Sequence, residues 1–164
     1  MASTFRTGAV GALLDEYEKA INELQRLIHN ISPAELLTVV DAATANPDCR
    51  SVQTILAHVV RAGFAYAIDI RQHTGRGADA YPAKVYHLDV RSYEQELCNM
   101  FAYTAATLSA VQDAQLEQLN EKLKIQTPWG QSYDIEQLME HAIVHVLRHR
   151  RQLEKFKRSL RQRQ

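Results

Sequence analysis

The sequence predicts an all-α protein and, more narrowly, a four-helix bundle. Four long segments repeat apolar residues every three or four positions, which is the period of an amphipathic helix. No segment shows a convincing strand-like alternation of apolar and polar residues. Connections of moderate length separate the four segments, as in a bundle whose neighbouring helices pack side by side.

The first helix is predicted from about Val10 to Ile28, and a short helical turn is predicted at Ser32–Glu35. That turn reads SPAE, in which a serine precedes a glutamate by three positions, the pattern of a capping box. The stretch Asp41–Asp48 is predicted to be a loop. The apolar stripe of the first helix consists of Leu13, Leu14, Tyr17, Ile21, Leu24 and Ile28.

The second helix should begin near Arg50 or Ser51 and end near His73, where Gly75 and Gly77 stop it. A loop containing a proline follows. The stripe of this helix mixes apolar and polar residues: Ile55, His58, Val59, Ala62, Ala65, Tyr66 and Asp69.

The third helix is predicted from about Ser92 to Val111. Its inward positions are Leu97, Met100, Phe101, Thr104 and Leu108.

The last helix follows TPWGQSYD, a turn at Thr127–Asp134 that is broken by a proline and a glycine. Asp134 is the expected N-cap, and Gln137 completes a capping box three residues later. This helix should continue past Phe156.

Length and charge limit the class of protein. A chain of 164 residues suits one domain, 1–164, with flexible ends at about 1–9 and 158–164. Lys plus Arg and Asp plus Glu both total 19, so the surplus of positive charge that a general nucleic-acid binder needs is absent. No stretch approaches the ~20 apolar residues of a membrane span. We therefore expect no specific nucleic-acid partner, no membrane partner and a cytoplasmic location.

Three histidines recur at every fourth position in HAIVHVLRHRRQ, which spans residues 141–152. At about 100° per residue, His145 and His149 lie within about 40° of Leu138, in the middle of the apolar stripe. His141 lies about 60° away, at the edge of the stripe. Two imidazoles one turn apart that point into a core are costly unless they are hydrogen-bonded or bind a metal.

A third ligand is expected from the second helix, where His58 shares the stripe with two alanines that would leave room for an ion, a water or a substrate. The sequence thus predicts a metal site of His58, His145 and His149. The competing interpretation is that each is a core histidine satisfied by its own hydrogen-bond partner. His141 is either an outer group of the site or solvated, and the remaining histidines are expected at the surface: His29, His73 and His87.

The sequence resembles the DinB/YfiT-like superfamily of bacterial four-helix-bundle proteins. The resemblance rests on SVQTILAHVV, which carries the histidine of the second helix, and on HVLRHRRQ, which is similar to the family ending H-x-x-x-H-R-x-Q. It spans about Leu13 to Phe156 and implies a DinB-like four-helix bundle. Carried over by position, the metal ligands implied by the family are His58, His145 and His149. Arg151 stands where the family usually has a small residue, a change expected to leave the ligands intact and to alter the outer surface.

The resemblance implies a metal-dependent enzyme, with some members acting as transferases or isomerases that use low-molecular-weight thiols. Three imidazoles around a divalent ion leave an open position, as in catalytic zinc sites, where a water or a thiol could be activated. Zinc or nickel is the expected cofactor, although imidazoles also suit iron and copper. The expected partner is a small-molecule substrate such as a low-molecular-weight thiol. The alternatives are a metal-dependent hydrolase, a non-catalytic metal-binding protein of the stress response, and a helical interaction module without metal.

Other residues around the site are open to two interpretations. Gln152 and Glu140 could each fix a ligand ring, but both lie off the centre of the stripe, and no catalytic residue is assigned. Asp69 shares the face of His58 but lies about 16 Å along the helix, which favours a separate buried contact. Trp129 could line a pocket mouth, although a staple between helices is the more common use of such a residue.

The end of the chain, RHRRQLEKFKRSLRQRQ, is strongly basic. It could bind an anion, but cations that complement the dipole at a helix C-terminus are the more general explanation. A spare apolar face of such a bundle could be buried in a homodimer, so a homodimer is a further expectation.

Overall fold

The computed structural model describes residues 5–77 and 79–162, and most of them are helical. This confirms the predicted all-α class. The five helices and two short strands are α1 (Gly8–Ile28), α2 (Pro33–Leu37), α3 (Val52–His73), α4 (Val90–Leu108), β1 (Ile125–Gln126), β2 (Ser132–Tyr133) and α5 (Ile135–Arg161).

Capping residues account for several helix starts that the sequence predicts. The side chain of Ser51 accepts the backbone N–H of Thr54 at 3.1 Å, which begins α3. The carboxylate of Asp134 accepts the N–H of Gln137 at 2.8 Å, and the Gln137 side chain accepts the N–H of Asp134, so the predicted capping box begins α5. Ser32 and Glu35 form the other predicted capping box, at α2.

The third long helix begins and ends earlier than Ser92–Val111, the range that the sequence suggests. Its N-cap is Asp89, whose carboxylate accepts the N–H of Ser92 at 2.9 Å, so helical backbone already begins at Val90. The turn at Thr127–Asp134 is closed by the antiparallel pair β1 and β2. Strands of two residues are too short to show an alternating pattern, so the sequence predicts only the turn.

The four long helices form a closed ring of contacts in the order α1, α4, α3, α5. This neighbour pattern is that of a four-helix bundle, and α3 and α5 therefore lie side by side. At Gly63, α3 approaches its neighbours so closely that an added Cβ would lie 2.0 Å from the Met100 sulfur and 2.8 Å from the Tyr17 hydroxyl. The residues between the helices are mainly aliphatic, and those with the largest fully buried side chains include Tyr17, Leu24, Ile55, Leu56, Tyr93, Leu97 and Met100.

The segment between α2 and α3 is a loop, as the sequence predicts, and it is fastened to the start of α3. The backbone N–H groups of Val40 and Asp41 donate to the carbonyl of Arg50 at 2.8 and 3.1 Å. A single 3₁₀ turn, Pro47–Cys49, precedes the helix and packs against it. These contacts hold Asp48 beside the first turns of α3.

The ends of the described chain are helical or close to a helix. Helix α1 begins at Gly8 and α5 runs to Arg161, inside the ranges 1–9 and 158–164 that were expected to be flexible ends. Residues 1–4, 78 and 163–164 lie outside the described residues. Among the described helices, none combines the length and the apolar character needed to cross a membrane.

Candidate metal centre

Three imidazoles converge between α3 and α5. His58 comes from α3, and His145 and His149 come from successive turns of α5. The ring centroids are separated by 4.9 Å for His58 and His145, 5.1 Å for His58 and His149, and 4.6 Å for His145 and His149. One ring nitrogen from each residue lies within 4.8 Å of the other two, so these three side chains could hold a metal ion together. We call this group the triad.

Two rings of the triad are held by side chains on their far side. Nδ1 of His58 lies 3.2 Å from Oδ2 of Asp48, and Nδ1 of His149 lies 3.1 Å from Oε1 of Gln152. Both partners present acceptor oxygens, so each Nδ1 is the donor and each Nε2 keeps a lone pair. An outer acceptor of this kind fixes the tautomer of a metal-binding histidine.

The remaining ring completes a hydrogen bond inside the triad. The Nε2 atoms of His58 and His145 lie 2.9 Å apart. Because the Nδ1–H of His58 faces Asp48, the hydrogen between the two Nε2 atoms belongs to His145 in the metal-free chain. A cation bound by both Nε2 atoms would replace this hydrogen bond, and His145 would then carry its proton on Nδ1.

The surroundings keep the rings neutral. Burial, followed by the neighbouring His149 and His58, lowers the pKa of His145 to about 2. Burial, followed by the nearby His58, lowers the pKa of His149 to about 4. Burial also lowers the pKa of His58, although the carboxylate of Asp48 opposes that shift. Neutral imidazoles are the form that binds metal, so the donors need not lose a net proton first.

The triad opens onto a cleft of about 810 Å³. Its aromatic end consists of Tyr66, Trp129 and His141; Trp129 stacks on His141 with ring centroids 5.6 Å apart and meets Tyr66 edge-on at 6.0 Å. Its cationic end consists of Arg148, Arg151 and Lys155. Along α5, His145 and His149 lie between His141 and Arg151. Because the triad lines this open cleft, small molecules can reach it.

The structure shows the contacts of four polar residues near the triad or on its helices. His141 is half-buried and lines the cleft, with its Nδ1 3.5 Å from the Tyr133 hydroxyl. Gln152 and Glu140 were the two side chains that could fix a ligand ring. Of these, Gln152 contacts His149. Glu140 is exposed, and within the described residues it makes no contact with the triad. Asp69 is buried and accepts a hydrogen bond from Tyr81, which confirms the separate polar contact.

One sequence-based interpretation, that of His87 as a surface residue, is wrong, and two other residues have contacts beyond the expected ones. Trp129 is 45% exposed and lines the cleft mouth, and its ring also bridges two helices, because it contacts Tyr66 of α3 and His141 of α5. Arg151 is exposed, as expected, and its side chain also lines the cleft. His87 is half-buried, with its ring centroid 5.0 Å from that of Tyr93. The other two histidines expected at the surface, His29 and His73, are exposed.

Sequence reasoning missed two residues close to the triad. Asp48 contacts His58, and Cys49 lines the cleft. Both belong to the 3₁₀ turn before α3, in a stretch that reads only as a loop. Loops carry no periodicity, so no local signal shows which way these side chains point.

One comparison with known proteins identifies a family. A sequence model described as the DinB family matches residues 3–160, nearly the whole chain. No protein of curated function and no solved structure matches the chain.

Proposed function

The chain belongs to the DinB family, and from that premise we propose that it is a metal-dependent enzyme that transfers a low-molecular-weight thiol to a small electrophile. The observation that carries the proposal is the convergence of His58, His145 and His149 at the base of an open cleft. A site built only for stability would be closed, whereas catalytic metal sites keep one position open for water or substrate.

The donor set fits a divalent ion of borderline softness. Three neutral imidazoles suit zinc or nickel, and also iron and copper, and we propose zinc or nickel as the resident metal. No carboxylate is among the three converging donors. When bound, such an ion would supply Lewis-acid chemistry, lowering the pKa of a thiol or a water in the cleft.

The protein's own residues orient the donors and limit the substrate. Asp48 and Gln152 hold two rings with Nε2 turned inward. Tyr66 and Trp129 offer ring surface next to the triad for an apolar part of the substrate. These groups bind and align the reactants, while the opening of the cleft lets a proton leave to solvent.

The proposed reaction is a substitution at carbon. The thiol sulfur forms a bond to the electrophilic carbon, and the bond from that carbon to its leaving group breaks with the electron pair going to the leaving group. The proton of the thiol is released to solvent or carried away by the leaving group. No oxidant or reductant is consumed.

Two alternatives use the same site. A hydrolase would activate water in place of the thiol, and a non-catalytic stress protein would only bind the metal. A homodimer and a cytoplasmic location remain proposals that are independent of this choice.

Metal analysis of the protein purified without a histidine tag is the first test. We expect close to one divalent ion per chain, and loss of that ion in His145→Ala. His73→Ala is the matched control, because it removes an exposed histidine from the last turn of α3. A metal-free wild-type protein that does not take up added zinc or nickel would refute a metal enzyme.

Activity separates the remaining candidates. The metal-loaded protein is assayed with small electrophiles in the presence of glutathione, bacillithiol or mycothiol, and with simple esters in their absence. Thiol-dependent turnover that disappears in His145→Ala supports the transferase. Turnover of esters alone favours the hydrolase, and tight metal binding without any turnover favours the stress protein.

A further inference from the structure

The cationic end of the cleft contains three positive side chains on one face of α5. Arg148, Arg151 and Lys155 follow at intervals of three and four residues, so they are neighbours on the helix surface. All three line the cleft onto which the triad opens. Like charges at this spacing repel one another, which costs stability unless an opposite charge is present.

The described residues supply no negative charge that offsets these three side chains. Within the described ranges, none of these three side chains forms an ion pair, and no acidic side chain lines the cleft. Arg150, on another face of the same helix turn, is paired with Glu23 and Glu154. Asp48 lies close to the triad, but its second oxygen is paired with Lys84. The positive charge at this end of the cleft is therefore unbalanced.

The charge also reaches the triad. Arg148 directly precedes His149 along α5 and lines the same cleft, so its charge lies next to the triad. Neutral polar groups also line the cleft, among them Asn46, Thr44 and Gln152, and can add hydrogen bonds to a bound group. A metal at the triad would add to the positive field rather than offset it.

We propose that Arg148, Arg151 and Lys155 form a subsite for a carboxylate or phosphate group of the substrate, whose reacting atom lies at the triad. This subsite rests on the proposed function, because it places the reacting atom of the substrate at the triad. The substrate class is then a small anionic molecule, with its charge toward Arg151 and its apolar part toward Trp129. Arginine is well suited to this role because its planar fork can hold two anion oxygens at once.

The test uses cobalt-loaded protein, in which a thiol that binds the metal produces a sulfur-to-cobalt charge-transfer band. The probes are matched pairs of an acid and an alcohol: 3-mercaptopropionate against 3-mercaptopropanol, and 6-mercaptohexanoate against 6-mercaptohexanol. We expect at least one acid to bind about tenfold more tightly than its alcohol, with the difference shrinking in high salt. Competition by succinate and by inorganic phosphate shows which anion the subsite prefers.

The variants Arg148→Gln, Arg151→Gln and Lys155→Gln should each reduce the preference for the acid about three- to tenfold and leave the binding of the alcohol unchanged. Arg158→Gln is the matched control, because it removes the same charge from an exposed position of α5 about 10 Å further along the helix. Equal reduction by the control would show a general field rather than a subsite.

Failure of this proposal differs from failure of the proposed function. If acids and alcohols both produce the band with equal affinity, the anion subsite is wrong and the thiol chemistry stands. If no thiol produces the band, the proposed thiol transfer is wrong. Calorimetry with succinate and inorganic phosphate then decides the subsite alone: binding that Arg151→Gln abolishes supports it, and absence of binding overturns it.

Discussion

Oδ2 of Asp48 lies 3.2 Å from Nδ1 of His58, on the side of the imidazole that faces away from the other two histidines. One residue belongs to a 3₁₀ turn and the other to the second turn of α3. The contact turns a loop carboxylate into the group that orients one of the candidate metal ligands.

Removal of this carboxylate should weaken metal binding. We expect Asp48→Ala to lower the affinity for zinc about 10- to 100-fold, because the ring of His58 loses the acceptor that fixes its tautomer. Competition with a chelating dye measures the change. Lys84→Met is the control, because it removes the ion pair of Asp48 and leaves the contact with His58. Equal affinities in Asp48→Ala and the wild type would show that the contact has no part in metal binding.

The metal-free protein should lose stability in mild acid. The unfolded chain binds protons on its histidines near pH 6.5, whereas burial keeps the pKa of His149 at about 4 and that of His145 at about 2 in the folded chain. Because the unfolded state then binds more protons, stability is complete above pH 6.5 and decreases as the pH falls toward those folded values.

Urea unfolding of chelator-treated protein between about pH 7 and about pH 5 measures this decrease, in a range where most carboxylates stay ionised. The His145→Gln variant should show a shallower dependence, since one of the two depressed groups is gone. A urea midpoint that is flat across this range would contradict the assignment of neutral, buried rings.

Gly63→Ala should destabilise the bundle by about 1–3 kcal/mol, the range of overpacked cores. The added Cβ would lie 2.0 Å from the sulfur of Met100, so a side chain of α4 must move. Urea unfolding gives the change in the free energy of unfolding. The double variant with Met100→Ala should lose less stability than the sum of the two single variants, because the shorter side chain removes the clash. Strict additivity would show that Met100 is not the cause.

The single tryptophan should report metal binding. Trp129 is stacked on His141, whose ring lies 6.3 Å from that of His145 between centroids. A paramagnetic ion at the triad, such as nickel or copper, should therefore quench its fluorescence, whereas diamagnetic zinc should quench it less. Titration of His145→Ala with the same ions is the control. Quenching that persists in this variant would place the ion elsewhere.

Much of the site could be predicted from local sequence because helices are periodic. The positions of His145 and His149 on the apolar stripe follow from the 100° step of a helix, and the place of His58 follows in the same way. The structure brings all three rings together, as predicted. Helix ends are encoded less clearly: the third helix was expected to begin near Ser92, but Asp89 caps it and Val90 is its first residue.

The sequence by itself determined the four long helices, the caps at Ser32 and Asp134, and the face of each helix that carries histidine. These features depend on interactions within about one helical turn, which neighbouring residues encode directly. Only the tertiary structure decided that Asp48 supports His58, that Trp129 opens to the cleft, and that Arg151 lines it. The physical reason is that the direction of a loop, and the side chains that face each other across two helices, depend on how the whole bundle packs.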